Sequence, residues 1–394
     1  MATPPSARGN DSPPEDNIQE IIRVSANHDI RALQRCIDRY SFPDCRVVDV
    51  QDPITGFSPL HAAIAACAKQ VNGDSIPSPP NEESGTRFLK FLLENGAIWN
   101  QLDKNDETPG CIAYRLGLHD LYQIMVDAGV RAEMVLNRLE GYTRLRDDED
   151  DDQVNGAEDS ENQDSSEANN SQEHVASSVY LSSALSIGDN RLLDEQQNGV
   201  MMAWESDIML QSANALLSEP GLNILNIGFG MGIIDTHIQN HVNKPNNHHI
   251  VEAHPEVLGN MERDGWMAKP NVVVHRGKWQ NILPQLIEEG ETFDAIYFDT
   301  FAESYSAFRD FFSEQVIGLL NPNGRWSFFN GMGADRQISY DVYQKVVEFD
   351  LFESDFDVEW ETVDLPNLTG EWEGVRRKYW DIDRYRLPIC KFMD

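Results

Sequence analysis

Three alternate glycines, Gly228, Gly230 and Gly232, close an apolar run from Leu222 to Ile227, and a helical pattern from Ile233 to His241 follows them. This pattern predicts a buried strand delivered straight into a ligand loop. Glycine permits positive φ and close approach of backbone to a bound molecule, and the amides at the helix start face that molecule. The neighbouring residues narrow the choice of ligand. A Walker loop needs Lys-Ser/Thr after its last glycine, whereas Ile233, Ile234 and Asp235 follow Gly232. A dinucleotide fingerprint wants a third glycine where Ile233 stands. What remains is a cofactor with a ribose and no phosphate requirement, of which S-adenosylmethionine is the common one. Its ribose hydroxyls call for an acidic residue at the end of the next strand. Glu252, closing the run His249-Ile250-Val251, supplies it at the customary spacing of about 20 residues.

Further segments continue the alternation of strand and helix. Asn271–Val274 reads as a third strand with His275–Gln280 as its loop, Phe293–Asp299 as a fourth, and Arg325–Asn330 as a fifth after a helical stretch Tyr305–Leu320 and a turn Asn321–Gly324. Strands separated by helical spacers imply a parallel sheet, whose ligands collect outside the carboxyl ends of the strands. Gly228, Glu252, Trp279 and Asp299 all fall at such ends. Taken singly, Asp299 could cap a helix and Trp279 could be core.

The segments Gly228–Gly232, Ile250–His254, Arg276–Gln280, Phe293–Phe301 and Val200–Glu205 together resemble guanidinoacetate methyltransferase. With the repeat-like segment in front, described below, the chain resembles the fungal type IV protein arginine methyltransferases, which modify the internal δ-nitrogen of arginine. The resemblance covers Tyr180 to Asp394 and implies a Rossmann-like α/β methyltransferase domain. It implies cofactor contacts at Tyr180, Met201, Met209, Phe229, Gly230, Met231, Gly232, Ile233, Ile234, Glu252, Ala253, His254, Trp279, Gln280 and Asp299, with Tyr180 closing over the cofactor. It implies that Glu205 and Asp299 are the two carboxylates that hold a guanidinium, and Asn330 a position near the substrate. There are departures: Gly232, Ile233 and Ile234 replace an alanine-rich turn, Gln280 stands where Glu is usual, and Thr300-Phe301 replaces Thr-Tyr.

Guanidinium chemistry asks for two carboxylates on its own account. The group is a planar five-donor cation, and carboxylates approaching from different sides fix its plane while leaving one nitrogen free to react. With a pKa above about 12 it is not nucleophilic, so a proton must leave during methyl transfer. Asp299, at a strand end beside the cofactor, is the expected acceptor, and Glu205 the orienting partner on an amphipathic helix from Val200 to about Leu217. The competing readings are ordinary ones: Glu205 as a solvated surface residue, Met201, Met202 and Met209 as core filling, and His254 as a loop histidine. The aromatic tail, with Trp360, Trp372, Tyr379, Trp380 and Tyr385, reads as core in closing antiparallel strands, some of it available to a substrate mouth. No metal is indicated.

The N-terminal part is a different object. Ser58-Pro59-Leu60-His61-Ala62-Ala63 matches the ankyrin signature Thr-Pro-Leu-His-x-Ala with Ser for Thr, opening a helix to about Lys69, and a second copy starts near Thr108-Pro109. Phe88–Ala97 reads as a second helix with a glycine stop at Gly96, Leu121–Gly129 repeats that cadence, and Asn17–Tyr40 reads as a degenerate first repeat. An insert from Val71 to Ser84 lengthens the spacing between the two copies. The expected organisation is a disordered N-terminus over 1–16, all-α ankyrin-like repeats over 17–140, an acidic disordered linker over 145–175 and the methyltransferase domain over 176–394. The repeats are expected to dock a protein, the bland alternative being a structural appendage.

Asp147–Glu173 holds 12 acidic residues and no Lys or Arg, which predicts disorder. Without those 12 the formal net charge of −35 is still −23, so the folded parts are acidic too. That argues against direct nucleic-acid binding and suits a basic protein substrate, in the family a ribosomal protein of the large subunit; an acidic surface with no partner is the competing reading. No apolar run approaches 18 residues and no signal-peptide pattern opens the chain, so no membrane association and a cytoplasmic and nuclear location are expected, for a monomeric chain. Cys36, Cys45, Cys67, Cys111 and Cys390 form no Cys-x-x-Cys pair and are expected to be free thiols. A small-molecule guanidino methyltransferase and a non-enzymatic repeat scaffold are the alternatives to a protein arginine methyltransferase.

Overall fold

The computed structural model describes residues 15–40, 46–68, 81–150, 177–188 and 190–393. The expected N-terminal disorder up to residue 14, most of the 71–84 insert, Cys45 and most of the acidic linker lie outside these residues. The chain divides into two compact units, Met1–Arg138 with Arg336–Tyr343, and Leu139–Asp335 with Gln344–Asp394.

The first unit is helical: α1 (Glu15–Ala26), α2 (Ile30–Arg39), α3 (Pro59–Ala66), α4 (Glu82–Glu94), α5 (Pro109–Arg115) and α6 (His119–Asp150). Both Ser/Thr-Pro signatures act as helix starts, with Pro at the first helical position. Thr108 accepts the Cys111 amide at 3.2 Å, and Ser58 shares a 2.8 Å hydrogen bond with buried His61. His61 reaches the Glu107 carbonyl at 3.0 Å, which ties the two signatures together. Helix α6 does not stop at Gly129 as the repeated cadence implied. A Cβ there would lie 2.6 Å from Val342 and 3.2 Å from Trp99, so this glycine serves close packing and not termination.

The second unit is built on a seven-stranded sheet: β1 (Asn223–Ile227), β2 (Asn247–Glu252), β3 (Val272–Arg276), β4 (Phe293–Phe298), β5 (Leu320–Phe328), β6 (Phe356–Asp364) and β7 (Arg384–Phe392). Their order is β3-β2-β1-β4-β5-β7-β6. The pairs among β1–β5 are parallel, and β7 runs antiparallel to both β5 and β6. This is the expected Rossmann-like α/β arrangement with closing antiparallel strands. Because both faces are covered, successive residues of β1 enter opposite cores. Leu225 and Ile227 pack with Phe298, Phe311 and Trp326, and Ile224 packs with Met209, Ile234 and Tyr297.

Two local expectations are corrected. Asn321–Gly324, read as a turn, lies inside β5. Phe293 pairs with Leu320 and Ala295 with Arg325, so the four residues form a bulge opposite Asp294, and the Asn321 amide donates to the Asp294 carboxylate at 2.6 Å. Val200–Met202, read as the start of an amphipathic helix, is a strand. Gly199–Met202 pairs antiparallel with Arg191–Leu193. Helix α7 (Ser177–Ser182) precedes this hairpin, and a 3-10 turn, Ala203–Glu205, leads from it into α8 (Ser206–Leu216). So short an apolar stretch fits either period, and the ladder with Arg191–Leu193 decides for the strand.

Candidate active site

The carboxyl ends of β1 to β4 surround a cavity, the arrangement in which ligands of such sheets collect. It lies wholly in the second unit. Gly228 at the end of β1 has φ 92, and a Cβ there would stand 1.8 Å from the carbonyl oxygen of Asp299. The glycine is thus needed for conformation and for closeness to β4. The loop ends at Gly232, left-handed at φ 68, which starts α9 (Ile233–Asn240).

Asp235 in the first turn of α9 anchors that loop from beneath. It is fully buried, its two oxygens lie 2.9 and 3.0 Å from the Asn226 side-chain nitrogen, which also donates to the Gly228 carbonyl at 2.8 Å, and it lies 3.0 Å from His248 of β2. Sequence reasoning singled out Asp235 only as a residue unlike a phosphate loop. An acid in the first helical turn was the available signal.

Glu252 closes β2 with its side chain 8% exposed. One oxygen accepts the Phe229 amide at 2.9 Å and the Gly230 amide at 3.4 Å, and the other accepts those of Ala253 at 2.7 Å and His254 at 2.6 Å. Burial pushes its pKa up, and the four amides oppose that shift. A carboxylate fixed in this way joins the glycine loop to the end of β2 and borders the cavity.

Of the residues expected at a cofactor, Tyr180, Met201, Gly230, Glu252, Ala253, Trp279, Gln280 and Asp299 line the cavity. The others stand behind it. Phe229 packs edge-on against Trp266 at 5.2 Å, while Met209 and Ile234 are in a core cluster that also holds Met201, with Met231 and Ile233 packed alongside. The Gly232 backbone closes the turn by donating to Phe229 at 2.7 Å. His254 is buried and caps α10 (Pro255–Arg263), accepting the Glu256 amide at 3.2 Å. Its other ring nitrogen holds the Tyr180 carbonyl at 3.1 Å, and the two rings pack at 5.0 Å. His254 therefore positions Tyr180 and does not border the cavity. Trp279 both packs in the core and borders the cavity, so its two readings coincide.

Glu205 is not a surface residue: it is 2% exposed. Its Oε1 accepts the Met202 amide at 2.7 Å and the Tyr379 hydroxyl. Tyr379 comes from the tail, stacked on Trp204 at 6.2 Å and edge-on to Trp372 at 5.0 Å. Asp299 extends the β1–β4 ladder, its amide donating to Ile227 at 2.9 Å. Its Oδ2 is buried with no hydrogen-bond partner among the described residues. Burial, and then the nearby charge of Asp299, drive the Glu205 pKa up; burial, and then Asp235, drive Asp299 up. Two buried acids that repel one another, one with an unpartnered oxygen, are an arrangement that a cationic donor would relieve; Asp299 lines the cavity and Glu205 stands behind its lining. Asn330, by contrast, is buried in the fold, its amide donating to the Tyr385 hydroxyl at 3.0 Å and its side chain to the Arg386 carbonyl at 3.2 Å.

The glycine cradle, the fixed acid at the β2 end and the open Asp299 oxygen fit a nucleoside cofactor beside a cationic acceptor. Among the described residues no group of His, Cys, Asp or Glu is placed to hold a metal ion, and no helix is long and apolar enough to cross a membrane.

Residues 183–350 match the family model of guanidinoacetate N-methyltransferase. Over nearly full length the chain is similar to three proteins named protein arginine N-methyltransferase 2. It is 55% identical to that of Aspergillus fumigatus, with 96% of each chain covered. It is 53% identical to that of Emericella nidulans, covering 96% of this chain and 97% of the relative, and 45% identical to that of Neurospora crassa, covering 97% of each. The chain belongs to the protein arginine N-methyltransferase 2 family, and its methyl donor is S-adenosylmethionine.

Proposed function

We propose that the chain methylates the internal δ-nitrogen of an arginine in a basic protein, a ribosomal protein of the large subunit, in the cytoplasm and nucleus. The observation that carries the guanidinium site is the buried pair Glu205 and Asp299, with Asp299 Oδ2 open. When bound, the cofactor supplies an electrophilic methyl on a sulfonium. The residues of the chain do the rest. Glu252 holds the ribose, while Tyr180, Met201, Gly230, Ala253, Trp279 and Gln280 enclose the nucleoside. The remaining expected contacts, Met209, Phe229, Met231, Gly232, Ile233, Ile234 and His254, support these from behind. Glu205, fixed by Met202 and Tyr379, orients the guanidinium, and Asp299 takes the proton that its reacting nitrogen gives up.

Three features support a protein substrate over a metabolite: the names of the relatives, the overall acidity, and a helical N-terminal unit with two Ser/Thr-Pro helix starts. We read that unit as ankyrin-like repeats that dock the substrate, and the acidic stretch 145–175 as a disordered linker joining it to a methyltransferase domain of 176–394, in a monomeric chain. The test is incubation with methyl-labelled S-adenosylmethionine, ribosomal proteins and, separately, guanidinoacetate, followed by fragmentation mass spectrometry. Label on the internal nitrogen of a protein arginine is the expected result. Label on a terminal nitrogen overturns the δ assignment, and label on guanidinoacetate alone overturns the protein substrate.

A further inference from the structure

Three carboxylates line the cavity, Glu252, Asp299 and Glu303, and the reaction gives the third no task. Glu303 sits on the loop that leaves the end of β4. Phe301 of that loop packs edge-on against Tyr180 at 4.9 Å. Glu303 Oε1 accepts the indole N–H of Trp279 at 3.3 Å, at the start of α11 (Trp279–Glu288), and the Gln280 side chain also bonds to it. Between these two anchors Ala302 has φ 61, left-handed for a residue with a Cβ. Such a conformation is strained and persists where its surroundings hold it. The strand order puts β2 and β1 between β3 and β4, so this strained loop carries a carboxylate from the end of β4 to the residues that follow β3.

A carboxylate only accepts hydrogen bonds, at about four lone-pair positions. The Trp279 indole and the Gln280 amide use two, and the others are left for donors in the cavity. A nucleoside with its ribose at the end of β2 would present its base to the end of the adjoining strand β3, where Trp279, Gln280 and Glu303 line the same cavity. We propose that Glu303 reads the exocyclic amine of adenine and so makes this site select a 6-amino over a 6-oxo purine. The inference rests on the reading of this cavity as the nucleoside site with Glu252 at the ribose. Burial raises the pKa of Glu303, while the bonds from Trp279 and Gln280 and the charge of Lys278 favour its ionised form.

The experiment is calorimetric titration of the full-length protein with S-adenosylhomocysteine and S-inosylhomocysteine, with the change in intrinsic tryptophan fluorescence as a second readout. Wild type should prefer the adenosyl ligand by about 50-fold or more, because the 6-oxo group sets an acceptor against the carboxylate. Glu303→Gln, whose amide can donate or accept, should bring the two ligands within about threefold of each other. Glu303→Asp keeps the acceptor but shortens it, and should weaken the adenosyl ligand while preserving its preference. Unchanged discrimination in Glu303→Gln overturns the assignment. Glu252→Ala separates this from a failure of the cavity reading: it should weaken both ligands alike, and if it weakens neither, the nucleoside is bound elsewhere and the proposal falls with that reading.

Discussion

Removing a single oxygen from Tyr379 tests whether Glu205 acts as an ionised partner of the substrate. In Tyr379→Phe the ring keeps its packing on Trp204 and Trp372, while Glu205 Oε1 loses the phenol and keeps the Met202 amide at 2.7 Å. A hydrogen bond to a charged group contributes about 1.5–3 kcal/mol. At 1.36 kcal/mol per unit, losing it lifts the carboxyl pKa by about one to two units. The sign follows from which form the phenol favours. It stabilises the carboxylate, so without it Glu205, already raised by burial and by Asp299, holds its proton to higher pH. The assay is kcat/KM against pH, whose acidic limb reports groups of the free enzyme. The limb should move up by about one to two pH units, with most of the activity regained on the high-pH plateau. A limb that stays in place with a lowered plateau would mean that Tyr379 only packs, and an unchanged profile would remove Glu205 from substrate binding.

Asp299→Asn should nearly abolish turnover and also stabilise the free protein. Its folded pKa, like that of Glu205, is raised above the unfolded value, so this contribution to stability is complete at acid pH and is lost as pH rises through the folded pKa. At pH 8 the variant should therefore melt a few degrees higher than wild type, with the gap narrowing as the pH falls and closing only below the unfolded carboxyl value of about 4; turnover at wild-type level would discard the proton-acceptor role. Gly228→Ala should break the cradle, since its Cβ would meet the Asp299 backbone at 1.8 Å and the position has φ 92. The expected reading is loss of S-adenosylhomocysteine binding in calorimetry with a melting point lowered by several degrees, and unaltered binding would refute the tight β1–β4 approach.

What the sequence made legible is what local patterns encode. The run into Gly228, the acid after His249–Val251 and the alternation through Phe298 are each written in consecutive residues, and the strand ends they predict are those that surround the cavity. The Tyr379–Glu205 bond joins positions 174 apart. It exists because the tail returns to the Gly199 hairpin, where the Gly199 amide donates to Arg377 at 3.1 Å and the Arg376 amide to Gln197 at 2.9 Å, and no window of sequence contains that return. Val200–Met202 failed for a related reason. An apolar stretch beside a true helix fits either period, and the partner strand Arg191–Leu193 decided it. Asp235 and Glu303 were passed over because an isolated acid is usually solvated, and only burial shows otherwise.

The cost of burying two acids together is the means by which the site recognises a cation. Without substrate, repulsion and desolvation hold protons on the Glu205–Asp299 pair near neutral pH. A guanidinium carries its charge at any working pH and donates to both acids, so its arrival favours the ionised pair and expels what protons remain. Binding of an arginine peptide to the S-adenosylhomocysteine complex should therefore release up to about one proton near pH 7 and strengthen up to about tenfold per pH unit below the pair's pKa. Titrations in two buffers of unequal ionisation enthalpy measure that release directly. A citrulline peptide, of nearly the same shape but neutral, gives the protons no reason to leave and should bind without buffer dependence. If the arginine peptide also showed none, the pair would already be ionised in the free enzyme, and the proton-linked account of selection would be wrong.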